Sequence, residues 1–342
     1  MGDSSKIRVG ISVGDPNGIG IEIILKTFQD KRVFDFFTPI VFAHAQNFIE
    51  ERKKLGINTG IFSLKNLKKP HKGQLNVVNT WESPFAIVYG KEDTNAGACS
   101  VSSLQAATTA LKSGLVDVLV TAPIHKKSIQ SDDFHFPGHT DFLNEQLDGE
   151  SLMFMITETL KVALLTDHIP LSQVTSHITT AQVRKKIELL DASLRLDFGI
   201  QKPKIAVLGI NPHTGDQGVI GDEDDSLLRP LLKREFEEGK LVFGPFSADG
   251  FFGNQSYLKY DGVLAMYHDQ GLIPFKTLSF GEGVNFTAGL NKIRTSPDHG
   301  TAFDIAGQGI ADNSSFNEAV HMARKIFLSR KHAEKYVSQP PD

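Results

Sequence analysis

The sequence predicts an α/β protein with a largely parallel sheet, on three observations. Short β-rich runs alternate with stretches whose apolar residues recur at helical spacing, the pattern of strands joined by crossover helices. A glycine-rich turn, Gly14-Asp15-Pro16-Asn17-Gly18-Ile19-Gly20, lies between the first such run and the first such helix. Three histidines stand just past apolar runs, in Leu164-Leu165-Thr166-Asp167-His168, Leu208-Gly209-Ile210-Asn211-Pro212-His213 and Leu264-Ala265-Met266-Tyr267-His268. Ligands collect outside the carboxyl ends of strands in open α/β sheets, which is where these imidazoles fall.

In chain order, residues 7–13 read as a strand by alternation, 19–28 as a helix, 40–43 as a strand and 101–111 as a helix. Residues 116–120 and 162–165 follow as strands, 183–198 as a helix, 204–210 and 262–267 as strands, and 315–329 as a closing helix. The lysine-rich stretch 49–71 reads as a solvated peripheral element. Residues 134–147 are rich in polar and turn formers and mark a crossing between lobes. The expected division is 1–135 with 300–342 as one lobe and 136–299 as the other, the latter carrying most metal and substrate residues.

A chain of 342 residues is long enough for two domains or one large α/β unit. With 36 Lys and Arg against 40 Asp and Glu, the net charge of −4 gives no global attraction for nucleic acid or an anionic membrane. Cys99 is the single cysteine, which excludes an internal disulfide, a cysteine-cluster metal site and a CxxC pair. No run approaches the roughly 20 apolar residues of a membrane span, and the first residues lack a signal-peptide pattern, so a cytoplasmic location is expected.

Two readings are open for the three histidines. Each alone fits a surface group or a satisfied polar residue; their repeated strand-end context points instead to a shared metal site. The first loop has glycines where backbone amides could approach an anion, or where a tight turn and close helix packing need them. It matches neither a Walker A loop nor Gly-x-Gly-x-x-Gly. Phe136-Pro137-Gly138-His139-Thr140-Asp141 presents an imidazole beside a hydroxyl, or simply caps a helix. The densest stretch runs from Tyr267-His268-Asp269-Gln270-Gly271 through Lys276 and Asn285 to Ile293-Arg294-Thr295-Ser296-Pro297-Asp298-His299-Gly300. Lys276, Asn285 and Arg294 supply a point charge, a neutral donor and a planar fork, suited to a phosphorylated carboxylate. Asp269 and Asp249 add carboxylates.

Gly14-Asp15-Pro16-x-Gly18-Ile19-Gly20-x-Glu22, Thr121-Ala122-Pro123-x-x-Lys126, Pro137-Gly138-His139-Thr140, Asn211-Pro212-His213, Tyr267-His268-Asp269-Gln270-Gly271 and Ile293-Arg294-Thr295-Ser296-x-Asp298-His299-Gly300-Thr301-Ala302 occur in one order along nearly the whole chain. Together they resemble the 4-hydroxythreonine-4-phosphate dehydrogenase family of pyridoxal phosphate (vitamin B6) biosynthesis. The resemblance implies a two-lobed α/β/α fold similar to isocitrate and isopropylmalate dehydrogenases, a cleft between lobes, and a homodimer whose partner completes the site. It implies His168, His213 and His268 as metal ligands, and His139, Thr140, Lys276, Asn285 and Arg294 as substrate contacts. The cofactor is NAD or NADP, bound at positions the sequence does not identify. Three imidazoles favour Zn2+ or Co2+ over Mg2+. Lys276, Asp269 and Asp249 are the candidates for proton transfer.

The implied reaction oxidises 4-phosphooxy-L-threonine to 2-amino-3-oxo-4-phosphooxybutanoate, which decarboxylates to 3-amino-2-oxopropyl phosphate. The nearest alternative is a 4-phospho-D-threonate or 4-phospho-D-erythronate dehydrogenase of the same fold. A phosphate acyltransferase is more remote, because the full histidine set argues against it, and a non-catalytic binding protein is more remote still. Asn17 and His125 stand where many members of the family carry a small residue and an asparagine.

Overall fold

The computed structural model describes residues 6–338. Its strands are β1 (Ile7–Ser12), β2 (Phe37–Ala43), β3 (Ile61–Ser63), β4 (Leu75–Asn79), β5 (Val118–Thr121), β6 (Gly149–Ile156), β7 (Lys161–Leu164), β8 (Lys204–Leu208), β9 (Leu241–Phe246), β10 (Gly262–Ala265), β11 (Val284–Leu290) and β12 (Arg294–Pro297). The helices are α1 (Gly20–Thr27), α2 (Ala45–Lys54), α3 (Thr94–Lys112), α4 (His139–Gln146), α5 (Leu171–His177), α6 (Thr180–Leu196), α7 (Arg229–Glu237), α8 (Ala248–Gly253), α9 (His268–Ser279) and α10 (Ser314–Ser338). Among the described residues no helix is long and apolar enough to cross a membrane.

One unit takes the chain up to Gly149 and again from Leu290 to Leu328. Its strands run in the order β3-β4-β2-β1-β5-β12, every pair parallel. β1 and β2 are buried almost throughout, which is why Ile-Arg-Val-Gly-Ile-Ser and Phe-Thr-Pro-Ile-Val-Phe-Ala read as near-continuous apolar runs. α3 begins at Thr94, well before the predicted residue 101, because the small residues of its first turns give no apolar period. Gly97 is required there: a Cβ would stand 1.8 Å from the Ser128 carbonyl oxygen. The lysine-rich stretch is less peripheral than expected, for it ends α2, forms edge strand β3 and buries Glu51, Ile57, Thr59 and Leu64.

The lobe boundaries differ from the sequence reading. Phe142, Leu143, Leu147 and Leu290 belong to one core cluster with Ile40, Phe42, Leu104, Leu111, Val116 and Leu119. Burying Phe142 and Leu143 alone is worth about 3–6 kcal/mol, more than the polar character of the surrounding loop opposes. The chain therefore leaves the first unit after Gly149 and returns at Leu290, rather than at 135 and 300.

The second unit comprises Glu150–Gly289 and the chain from Ser329. Its strand order is β11-β6-β7-β10-β8-β9, with β7, β10, β8 and β9 parallel and β6 antiparallel to β7. Val162, Leu164, Ala206, Leu208, Val263 and Ala265 pack under Leu272 and Phe275 of α9 on one face. Against Gly262 come Leu190 and Leu194 of α6, where a Cβ would meet Leu194 at 2.9 Å. Thr179 caps α6 by accepting from the Gln182 amide.

Candidate active site

β7, β10 and β8 are adjacent and parallel, and His168, His268 and His213 follow their respective carboxyl ends. The His168 and His268 rings have centroids 6.0 Å apart. With metal–nitrogen bonds of about 2.0–2.1 Å, two imidazoles on one ion have centroids about 5–6 Å apart, so this pair fits a shared borderline cation. His268 Nδ1 lies 2.7 Å from Asp269 Oδ1, which directs Nε2 outward. His213 is not gathered with them: among the described residues no group of three His, Cys, Asp or Glu side chains surrounds one point.

The reason lies in the segment after β8. His213, Thr214, Gly215, Asp216 and Gln217 all have positive φ, from 43° to 82°. Left-handed backbone costs L-residues roughly 1–2 kcal/mol each, so something must hold it. Buried Asp224 accepts from the Ile210 and Asn211 amides at 2.9 Å each, and Arg229 donates to Thr214 Oγ1. Gly215 has no room for a Cβ, which would meet the Gly221 carbonyl oxygen at 2.3 Å. Asp249 lies within the electrostatic reach of His213, and its carboxyl is held below the usual range by Ser247, by the Gly250 amide and more weakly by His213.

Side chains the sequence reading did not assign lock the three strand exits. Thr166 donates to the Met266 carbonyl at 2.8 Å, tying β7 to β10. Gln270 accepts from the Met266 amide and donates to the Gly209 carbonyl, both at 2.7 Å, tying β10 to β8. Gln270 could have been found from its place in Tyr267-His268-Asp269-Gln270-Gly271; Asp224 gives no local signal, because its partners lie 13 and 14 residues back.

Lys276 and Asp269 are seven residues apart on α9 and share an exposed face. Asn285, on β11, has a buried Oδ1 without a hydrogen-bond partner. These two substrate candidates and Asp249 lie in the second unit; His139, Thr140 and Arg294, expected there as well, lie in the first.

In the first unit, extended Gly138 precedes α4, so His139 and Thr140 occupy its first turn instead of capping it. First-turn amides lack intrahelical acceptors, and the helix dipole favours an anion there. His139 Nε2 is buried with no hydrogen-bond partner. Burial, then the positive charges of Arg294 and Lys126, push its pKa well below the ordinary histidine value, leaving a neutral imidazole at pH 7. Arg294 is 3% exposed, and its Nε and Nη2 donate to Thr121 Oγ1 at 3.1 and 2.7 Å. Burial pulls its pKa down to about 9, so it remains cationic at neutral pH. A guanidinium, a neutral imidazole and a helix start form an anion-binding set.

The glycine-rich first loop uses most of its amides internally: Asp15 N donates to Pro123 O, Asn17 N to Asp15 Oδ1, Gly18 N to Asp15 O and Ile19 N to Thr301 O. Gly18 and Gly20 are packing glycines, for a Cβ would meet Thr301 O at 2.8 Å or Val13 O at 2.3 Å.

Residues 35–323 match the family model described as pyridoxal phosphate biosynthetic protein PdxA. The chain is 42% identical over 331 residues to a 4-hydroxythreonine-4-phosphate dehydrogenase of Bacteroides thetaiotaomicron, covering 96% of this chain and 91% of that one. It is 36% identical to an Oceanobacillus iheyensis protein named as a D-threonate 4-phosphate dehydrogenase, covering 94% and 98%. The crystal structure of a 4-hydroxythreonine-4-phosphate dehydrogenase from Klebsiella pneumoniae superposes with a TM-score of 0.80 at 32% identity, covering 94% of this chain and all of that one. On the extent of these matches, the chain belongs to the pyridoxal phosphate biosynthetic protein PdxA family.

Proposed function

We propose that this chain is an NAD(P)-dependent dehydrogenase that oxidises the C3 hydroxyl of 4-phosphooxy-L-threonine, giving 2-amino-3-oxo-4-phosphooxybutanoate. That 3-oxo acid loses carbon dioxide to become 3-amino-2-oxopropyl phosphate. The observation that carries the reading is the placement of His168, His268 and His213 at the exits of three adjacent parallel strands, in a chain of this family.

His168 and His268, whose ring spacing fits one ion, would hold a divalent ion, Zn2+ or Co2+ in preference to Mg2+, with His213 the third ligand by the family resemblance although this structure does not gather it with them; an ion there would act as a Lewis acid that makes a hydroxyl more acidic. His139, Thr140 and Arg294, and separately Lys276 and Asn285, are the family-implied candidates for holding the phosphate and carboxylate, contacts that would fix C3 for transfer. The C3 hydrogen leaves with its electron pair for NAD(P)+, and the hydroxyl proton leaves to a base. Lys276, Asp269 and Asp249 are the candidates for that proton: Asp269 is engaged with His268, and Asp249 is held ionised and weakly basic by Ser247. A homodimer belongs to the same reading, with the partner completing the site. Ile273 and Phe280 of the α9 region stand 64% and 87% exposed, apolar surface that a second copy would cover.

A 4-phospho-D-threonate dehydrogenase is the second reading, favoured by the relative so named. Initial rates of nicotinamide reduction with 4-phosphooxy-L-threonine, 4-phospho-D-threonate and 4-phospho-D-erythronate, before and after chelation and metal add-back, separate the two. Chelator-sensitive turnover of the L-threonine phosphate alone supports the first. Preference for a D-threonate or erythronate phosphate moves the chain to the second, and no reduction with any substrate overturns both.

A further inference from the structure

The carboxyl ends of β1 and β5 bring one hydroxyl against Arg294 and a second onto the same sheet face. Ser12 pairs with Thr121 across these strands, and Arg294 pairs with Leu119, two residues before Thr121 on β5. Registered neighbours and residues two apart point to the same side of a sheet, so Ser12, Thr121 and Arg294 share one face. All are buried, at 1%, 0% and 3% exposure. Thr121 Oγ1 accepts from both Nε and Nη2 of Arg294, fixing the plane of the guanidinium. Ser12 Oγ has no hydrogen-bond partner, although an unmatched buried hydroxyl costs about 1–3 kcal/mol. His139, whose pKa is lowered by burial and then by the Arg294 charge, has a second unmatched buried atom, Nε2.

We propose that Thr121 is the positioning residue for Arg294 and that Ser12 is a direct hydrogen-bond donor to the same anion, the phosphate ester of the substrate. The inference rests on the phosphate-substrate reading above, but not on the reaction. Thr121 occupies the Nε edge of Arg294 and so holds the plane of the guanidinium beside the face that carries Ser12. The Ser12 hydroxyl then has an acceptor that a phosphate oxygen supplies and the protein does not.

The probe is inorganic phosphate, titrated by calorimetry into the wild-type chain, Thr121→Val, Thr121→Ser and Ser12→Ala. Alongside, NMR of protein labelled at arginine Nε follows the Arg294 Nε–H, assigned with Arg294→Lys. Loss of a hydrogen bond to a charged group predicts about tenfold weaker phosphate binding in Thr121→Val and in Ser12→Ala, with Thr121→Ser within about threefold of wild type. The Arg294 Nε–H should be protected from exchange in wild type, Thr121→Ser and Ser12→Ala, and exchange fast in Thr121→Val. An unchanged Arg294 signal in Thr121→Val overturns the positioning role, and wild-type phosphate affinity in Ser12→Ala overturns the donor role. A wild-type chain that binds no phosphate overturns the anion assignment itself. The predicted variant pattern in a chain that turns over none of the phosphorylated substrates refutes the proposed reaction while upholding this inference.

Discussion

His268 Nδ1 and Asp269 Oδ1 lie 2.7 Å apart, so the carboxylate that follows the imidazole on α9 fixes its orientation. Carboxylate partners of metal-binding histidines typically account for 10–100-fold in metal affinity. Asp269→Asn keeps an acceptor but loses the charge. It should weaken Zn2+ retention about tenfold or more in competition with a chromophoric chelator, and excess metal should restore kcat. Unaltered metal affinity with a kcat loss that persists at saturating metal would instead make Asp269 the proton acceptor.

His139 predicts a pH dependence. Its folded-state pKa lies below the ordinary 6.5 because of burial, then Arg294 and Lys126. Below pH 6.5 the unfolded chain takes up a proton that the folded chain refuses, so stability is intact above that pH and falls beneath it. The slope approaches about 1.4 kcal/mol per pH unit. His321, also lowered by burial and by Arg324, acts in the same direction. The drop in Tm between pH 7 and pH 5 should therefore be smaller in His139→Gln than in wild type. Equal drops would remove His139 as a source of the acid sensitivity.

Asp15 is fully buried, with Oδ1 accepting from the Asn17 amide at 2.9 Å and Oδ2 unmatched. Burial raises its pKa, outweighing the Asn17 amide and His125, which lower it. A raised folded-state carboxyl makes stability fall as pH climbs above the unfolded value of 3.8 towards the folded one. Asp15→Asn keeps the acceptor without the charge and should equal or exceed wild-type Tm at pH 8. Asp15→Ala should lose about 1–3 kcal/mol, a fall of several degrees by differential scanning calorimetry. A lower Tm in Asp15→Asn than in wild type would contradict the burial argument.

Local sequence reveals the parallel strands and their histidines because both are local patterns: Val162 to Leu164 and Gly262 to Ala265 are short apolar runs, and each histidine follows within a few residues. It does not reveal which lobe claims α4, since that depends on Phe142 and Leu143 meeting Leu104, Leu119 and Leu290, contacts distant in sequence. Nor does the motif Asn211-Pro212-His213 announce a left-handed turn. Four of the five positive-φ residues from His213 to Gln217 are not glycine, and the support comes from Asp224 and Arg229 farther along. Thr121 stands in a motif that marks the family, yet its tie to Arg294 spans 173 residues and is visible only in the fold.

Gly271 decides how closely α9, and with it His268 and Lys276, can approach the sheet. A Cβ there would stand 2.9 Å from Ala265 Cβ and Val162 Cγ1 and 3.0 Å from Leu164 Cδ2. Ala265 and Val162 are short, stiff side chains on β10 and β7, so the helix must lift rather than these neighbours yield. Such overpacking costs about 1–3 kcal/mol, against a helix-propensity gain of about 1 kcal/mol for replacing glycine by alanine. Gly271→Ala should therefore lower Tm by a few degrees. Because His268 is the first residue of α9 and faces His168 on the neighbouring strand exit, the same lift should separate the two rings. Weaker Zn2+ retention by chelator competition is expected together with the Tm loss. A reduced Tm with wild-type ion affinity would show that the helix end holding His268 stays anchored, through Gln270, independently of the packing at Gly271.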